Sequence, residues 1–167
     1  MSVSDHRVSV RVARRGDEAA LAGIDAVAWT PASGFPSVIM RVGGSFFSAD
    51  HPPEAHLVAE VNDTVAGYVL VKPVTPLKEN AHVTSIAGLA VAPDARGRGV
   101  ATALLAAAEQ HARDHGARKL SLRVLSSNDA ALRLYERLGF RREGTLREEF
   151  LIEGRYVDDV LMTKHLS

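Results

Sequence analysis

Leu89-Ala90-Val91-Ala92-Pro93-Asp94-Ala95-Arg96-Gly97-Arg98-Gly99-Val100-Ala101 is the stretch on which the fold of this chain turns. The residues leading into it, Ala81 to Ala92, are rich in β-branched and small side chains and read as a long strand. Gly88 within that strand marks a bulge or a close backbone approach. The residues leading out, Gly99 to His115, place Val100, Ala103, Leu104, Ala107, Ala108 and His111 on one helical face, with Gly116 as the stop. A strand therefore feeds a short loop of two glycines and two arginines that opens directly into a helix. Free N–H groups and the positive end of the helix dipole make such a junction an anion site, with phosphate its usual guest.

Outward from this junction the chain alternates between the two regular periods. Ser9 to Ala13 alternates as a half-buried strand, and Gly16-Asp17 breaks it. Ala19, Leu21, Ala22, Ile24, Val27 and Ala28 form a helix face that ends near Trp29, before Thr30-Pro31. His56 to Val61 and Thr64 to Val71 are strands joined by the hairpin signal Asn62-Asp63, with Gly67 inside the second. Lys119 to Leu125 is a strand, and Ser126, Ser127 and Asn128 are helix-start residues. Ala131, Leu132, Leu134, Tyr135 and Leu138 make the next helix, stopped by Gly139. Phe140 to Ile152 and Tyr156 to Met162 form a closing hairpin around Glu153-Gly154. Residues 30–54 are irregular, with a short helix at Val38 to Val42. The order is β-α-(α)-β-β-β-α-β-α-β-β, an α/β fold with a mixed sheet.

The 167 residues are 46% hydrophobic and 24% charged, enough to bury a core, and are read as a single domain. Twenty basic and 20 acidic side chains cancel, which leaves no bulk basic field for nucleic acid. Cysteine is absent, which removes disulfides, thiolate metal sites and a cysteine nucleophile. The histidines form no metal-ligand pattern, and His111 and His115 are read through the helix dipole. No membrane-length apolar run and no signal-peptide pattern occurs in the sequence, so a cytoplasmic protein is expected.

Three phosphate-binding patterns compete for the central loop. A P-loop needs Gly-Lys-Ser/Thr, which is missing, and a dinucleotide fingerprint needs a glycine where Thr102 stands. The third, Arg/Gln-x-x-Gly-x-Gly/Ala, is matched by Arg96, Gly99 and Ala101. Asn128-x-x-Ala131-x-x-Leu134-Tyr135-x-x-x-Gly139-Phe140 matches a second motif at the same family's spacing. On these residues the chain resembles the GNAT superfamily of acetyl-CoA-dependent N-acetyltransferases over roughly residues 55 to 165. The ending, from Arg147-Glu148-Glu149-Phe150 to Met162, more weakly resembles the branch that acetylates free amino acids and protein N-terminal amines.

The resemblance implies a GNAT-like fold: about seven strands splayed in the middle, flanked by about four helices. It implies a cofactor core of residues 81–140 and acceptor-shaping regions at 30–54 and 141–162. The backbone of Leu89, Ala90 and Val91 would meet the pantetheine arm of acetyl-CoA. N–H groups of Gly97, Arg98, Gly99, Val100 and Ala101 would hold the pyrophosphate, with Arg96 adding charge. Arg98 reaches either the phosphates or solvent. Asn128 and Ala131 would border the cofactor arm, Asn128 also being a natural N-cap. Tyr135 is either a core aromatic or the general acid that protonates the departing thiolate. The implied partners are acetyl-CoA and an amine acceptor, with no metal, nucleic acid or membrane, in a monomer or homodimer.

One departure from the family pattern matters. Ala87 stands where some members carry a glutamate base, and no carboxylate occurs from Ala81 to Ala92. Ser85, Thr84 and His82 are the polar residues there, and the base is unassigned. An α-amine is about one-third neutral at pH 7.5 and a lysine side chain only about 0.1%. A site without a strong base thus suits an α-amine, of an amino acid or a peptide N-terminus. Acceptor-site candidates are Ser85, Phe35, Glu148 and Tyr156, with Trp29, Phe46, Phe47, Glu149 and Asp158 behind them. The alternatives are a non-catalytic acyl-CoA sensor, an acetyltransferase of polyamines or antibiotic amines, and a nucleotide-binding protein sharing the glycine turn.

Overall fold

The computed structural model describes residues 7–36 and 45–167. Seven strands form one hydrogen-bonded sheet in the order β1-β2-β3-β4-β5-β7-β6. They are β1 (Val8–Val12), β2 (His56–Val61), β3 (Thr64–Pro73), β4 (Val83–Val91), β5 (Lys119–Leu125), β6 (Arg141–Ile152) and β7 (Arg155–His165). Three α-helices lie wholly among the described residues: α1 (Glu18–Ala28), α2 (Val100–Asp114) and α3 (Asp129–Arg137). The expected helix at 38–42 lies outside the described residues. The chain divides into two compact units: Met1–Ala28, Ser45–Val71 and Gly88–Ala108 in the first; Trp29–Gly44, Lys72–Ala87 and Glu109–Ser167 in the second.

In the first unit β1, β2 and β3 pair antiparallel. Asn62 and Asp63 both take positive φ, 50° and 63°, the tight hairpin geometry their residue types favour. Leu21, Val58, Val69, Val100 and Leu104 are among its fully buried residues. Leu21, Ile24 and Ala28 carry the buried face of α1, whereas Val27, expected on that face, is 61% exposed. The close backbone approach falls at Gly67 and not at Gly88. A Cβ at Gly67 would sit 2.7 Å from the Ala90 carbonyl oxygen, while one at Gly88 would make ordinary contacts at 3.6 Å. The Ala92 N–H donates to the Ala66 carbonyl at 2.7 Å, which fixes that approach. Arg11 holds both oxygens of buried Asp17 at 2.8 Å and also grips Glu60. Phe46, Phe47, His56 and Tyr68 form one aromatic cluster with ring centroids 5.0–5.9 Å apart. Phe46 and Phe47 are thereby packing residues of this unit.

In the second unit β4 and β5 run parallel from Val83↔Lys119 to Ile86↔Leu122. β4 continues to Val91, and β5 pairs along its whole length with antiparallel β7. Leu120, Val160 and Met162 are fully buried there. β6 is the sheet's outer strand and pairs with β7 through two irregularities, at Arg142/Gly144 and at Leu146/Phe150. Glu148 lies in the second irregularity with φ 50°. Its N–H donates to the Asp158 carboxylate at 2.8 Å, and the Asp158 N–H in turn donates to Ser126 Oγ at 3.1 Å. Glu153 and Gly154 both take positive φ at the turn into β7, the geometry a tight hairpin needs.

Candidate active site

The phosphate-loop geometry follows from its glycines. Pro93–Ala95 forms a single 3-10 turn after β4. Gly97 and Gly99 then take φ of 75° and 77°, a left-handed conformation that costs other L-residues about 1–2 kcal/mol. This double reversal turns the chain into α2 between two anchors, buried Ala95 and Val100. Among the described residues no backbone carbonyl accepts the N–H groups of residues 97–101, and Ala103 makes the first helical bond, to Gly99 at 3.0 Å. Nothing lies within 4 Å of where a Cβ would stand at Gly97 or Gly99. The loop is thus a row of unspent donors facing open space at the positive end of a 15-residue helix. A pyrophosphate fits it. Arg98 is exposed beside it. Arg96 also braces the first helix, since one guanidinium nitrogen donates to the Ala28 carbonyl at 3.0 Å and caps the C-terminus of α1. Leu89 and Val91 are half-buried, and Ala90 between them is buried.

The second unit carries the other predicted residues. Asn128 caps α3, its side-chain oxygen accepting the Ala131 N–H at 3.2 Å. Ala131 is half-buried on the first turn. Tyr135 is 8% exposed, and its ring stacks edge-on against Phe140 at 5.7 Å. No described residue hydrogen-bonds its hydroxyl, and the oxygen is not sealed from the surface. Burial pushes the phenol up to about 12, so it stays protonated throughout the physiological range. Ser85 is half-buried and pairs in register with Ser121.

The acceptor candidates part company. Phe35 stacks on Phe150 at 4.7 Å. These two, with Pro36, Leu151, Ile152 and Glu153, line an open depression of about 420 Å³. Glu148 and Tyr156 are not among its lining residues. Glu148 belongs to the β6 irregularity, and Tyr156 is 67% exposed opposite Leu151. Asp158 is committed to the Glu148 N–H.

Sequence reasoning missed a charged pair. Asp159 is 3% exposed and accepts from Arg123 of β5, both Nε and Nη2 approaching the same oxygen, Oδ2. Burial, above all, holds its carboxyl above the usual range. The signal was present in Val157-Asp158-Asp159-Val160: in a strand, one of two adjacent aspartates must face the other way. Among the described residues no group of three or more His, Asp or Glu is placed to hold a metal. No described helix is long and apolar enough to cross a membrane.

Comparison with known proteins supplies the lineage. Residues 24–140 match the model of the acetyltransferase (GNAT) family. An acetyltransferase of Yersinia pestis is 38% identical over 97 residues, 58% of this chain and 64% of that relative, so the match spans less than two-thirds of the relative's length. The ribosomal-protein-alanine N-acetyltransferase of Brucella melitensis superposes with a TM-score of 0.61 and 32% identity, over 66% of this chain and 68% of that one. The yncA protein of Salmonella typhimurium, solved with its cofactor acetyl-CoA, superposes with a TM-score of 0.76 over 96% of this chain and 95% of that one. At 22% identity that likeness speaks for the fold alone. The matched family model covers both the phosphate loop and α3, and the chain belongs to the acetyltransferase (GNAT) family.

Proposed function

We propose that this chain is an N-acetyltransferase that moves an acetyl group from acetyl-CoA to an α-amine. The observation that carries the reading is the pair of left-handed glycines at the open N-terminus of α2, a cradle for pyrophosphate. Membership of the acetyltransferase (GNAT) family supports an acetyl donor. In this reading N–H groups of residues 97–101 bind the diphosphate and Arg98 adds charge. Arg96 does so with its remaining guanidinium edge, while it holds the end of α1. The backbone of Leu89 and Val91 receives the pantetheine amides.

Chemistry needs a neutral amine and a stabilised leaving sulfur. The N–C bond forms as the C–S bond breaks, and the amine gives its surplus proton to solvent or to the sulfur. Tyr135 serves the sulfur. Full transfer from a phenol near 12 to a thiolate whose acid has a pKa near 8.5 is uphill by about 3.5 pH units, or about 5 kcal/mol. Hydrogen-bond donation to the developing thiolate carries no such cost. Burial thus reshapes the expected general acid into a hydrogen-bond donor, with the thiolate protonated afterwards. The strand Val83–Val91 holds no carboxylate, so the amine arrives neutral from solution, which favours an α-amine over a lysine side chain.

The same absence favours one other reading, a non-catalytic acyl-CoA-binding module. Calorimetry with acetyl-CoA, ATP and NAD, followed by thiol release with an amine panel, tests both. Binding of acetyl-CoA alone with amine-dependent release supports the transferase. Binding without release supports the module, and preference for ATP or NAD overturns both. Acetylation of lysine side chains in N-blocked peptides, with free α-amines ignored, would overturn the choice of acceptor.

A further inference from the structure

Three polar side chains are buried among the described residues: Asp17, His56 and Asp159. The first two are fully accounted for, Asp17 by Arg11 and the Arg14 N–H, His56 by the Pro52 carbonyl and its aromatic neighbours. Asp159 is different. Its partner Arg123 keeps a side chain 55% exposed. Arg123 engages Asp159 through Nε and Nη2, and no described residue hydrogen-bonds its Nη1. A buried carboxylate is an expensive way to stabilise a strand, since an apolar pair of similar volume often does as well. Its effect here is to hold a guanidinium in one pose with an outer edge free.

The register shows where that edge lies. Arg123 stands opposite Leu161, Leu125 opposite Asp159 and Ser121 opposite Thr163, so Ser121, Arg123, Asp159 and Thr163 share a face. Ser85 joins them through its pairing with Ser121. Arg123 is the first β5 residue past the last β4–β5 pair, Ile86↔Leu122. Two residues beyond it β5 ends, and the chain turns into the Asn128 cap of α3, the helix that carries Tyr135. Glu149 is the other charge acting on Asp159. Asp159 is spent on Arg123, so the cluster offers a ligand one free cationic edge, with Glu149 the other carboxylate nearby.

We propose that Arg123, pinned by Asp159, binds the α-carboxylate of the acceptor, so that the enzyme acetylates free amino acids in preference to peptide N-termini. The inference rests on the α-amine reading above and narrows it. A guanidinium–carboxylate pair of this kind discriminates about tenfold or more against an uncharged amide.

The test is steady-state acetylation of each common amino acid and its α-carboxamide by wild type, Arg123→Gln and Asp159→Asn. Referred to the concentration of neutral amine, because the free acid's amine is the more basic, wild type favours the acid over the amide by about tenfold or more in kcat/KM. In Arg123→Gln the ratio collapses towards one through KM for the acid, while KM for acetyl-CoA moves by less than about twofold. Asp159→Asn, which leaves the guanidinium in place but unpinned, lowers the ratio part of the way. Arg123→Gln leaves buried Asp159 without its partner, so its thermal midpoint falls; the kinetics are read well below that midpoint, where an unchanged KM for acetyl-CoA separates recognition from folding. Equal use of acid and amide by wild type, or an intact ratio in Arg123→Gln, overturns this inference alone. A raised KM for acetyl-CoA with an intact ratio also overturns it, assigning Arg123 to the donor's phosphates. Acetyl-CoA binding with no acetylation of any α-amine overturns it together with the α-amine reading.

Discussion

Replacing Tyr135 by Phe removes one oxygen from an otherwise buried ring and leaves the packing against Phe140 intact. Burial holds the phenol near 12, so the hydroxyl can donate a hydrogen bond to a developing thiolate but is a poor source of a transferred proton. A hydrogen bond to a charged group is worth about 1.5–3 kcal/mol, which corresponds to a fall in kcat of about 10- to 150-fold. The assay is thiol release at saturating acetyl-CoA and amine, with acetyl-CoA affinity measured separately by calorimetry. The affinity should stay within about threefold, because the hydrogen bond is made to charge that appears only in the transition state. The solvent isotope effect on wild-type kcat should be small. An unchanged kcat in Tyr135→Phe would falsify the role. A loss beyond about a thousandfold with a large solvent isotope effect would show that the proton moves in the rate-limiting step, and would refute the burial argument.

Four further substitutions probe the scaffold and the loop. Gly67→Ala places a methyl 2.7 Å from the Ala90 carbonyl and should cost about 1–3 kcal/mol in urea denaturation, whereas Gly88→Ala, with contacts at 3.6 Å, should be near neutral. Gly99→Glu combines a φ of 77° with a negative charge among the free N–H groups, and should abolish acetyl-CoA binding by calorimetry at a stability cost of about 1–2 kcal/mol. Asp17 is held below the usual carboxylate range, first by its hydrogen bonds from Arg11, so the stability it adds is present above the unfolded pKa near 4 and fades as pH falls through the folded value. Asp17→Asn should accordingly lower the urea midpoint at pH 7 by the equivalent of about 1–3 kcal/mol, with the gap closing below about pH 4.

Local grammar makes most of the elements legible. The strand–glycine–helix junction, the Asn62-Asp63 and Glu153-Gly154 hairpins and the Asn128 cap are written in residues whose backbone preferences act within a few positions. What escapes is long-range. Gly67 and Gly88 both sit in strands, and only the approach of the Ala90 carbonyl tells which one lacks room for a methyl. Val27 fits the periodicity of α1 but lies beyond the edge of what that helix covers. Phe46 and Phe47 group with Phe35 in sequence because all three fall in an irregular stretch. In space His56 and Tyr68 claim the first two and Phe150 the third. Asp159 is easily passed over because a carboxylate in a strand reads as solvent-facing, and its burial depends on Arg123, 36 residues earlier.

The kink at Glu148 has a consequence for how the molecule survives at high concentration. β6 is the last strand of the sheet, 12 residues long, with no strand on its outer side among the described residues. A flat edge of that length is a template on which further copies can polymerise. The irregularity held by Asp158 twists the edge out of line midway, and Arg147, Glu148 and Glu149 set charge at the break. Loss of the Asp158 carboxylate should therefore show first as concentration-dependent light scattering, ahead of any fall in turnover. One aspartate thus keeps an open sheet from recruiting its own kind.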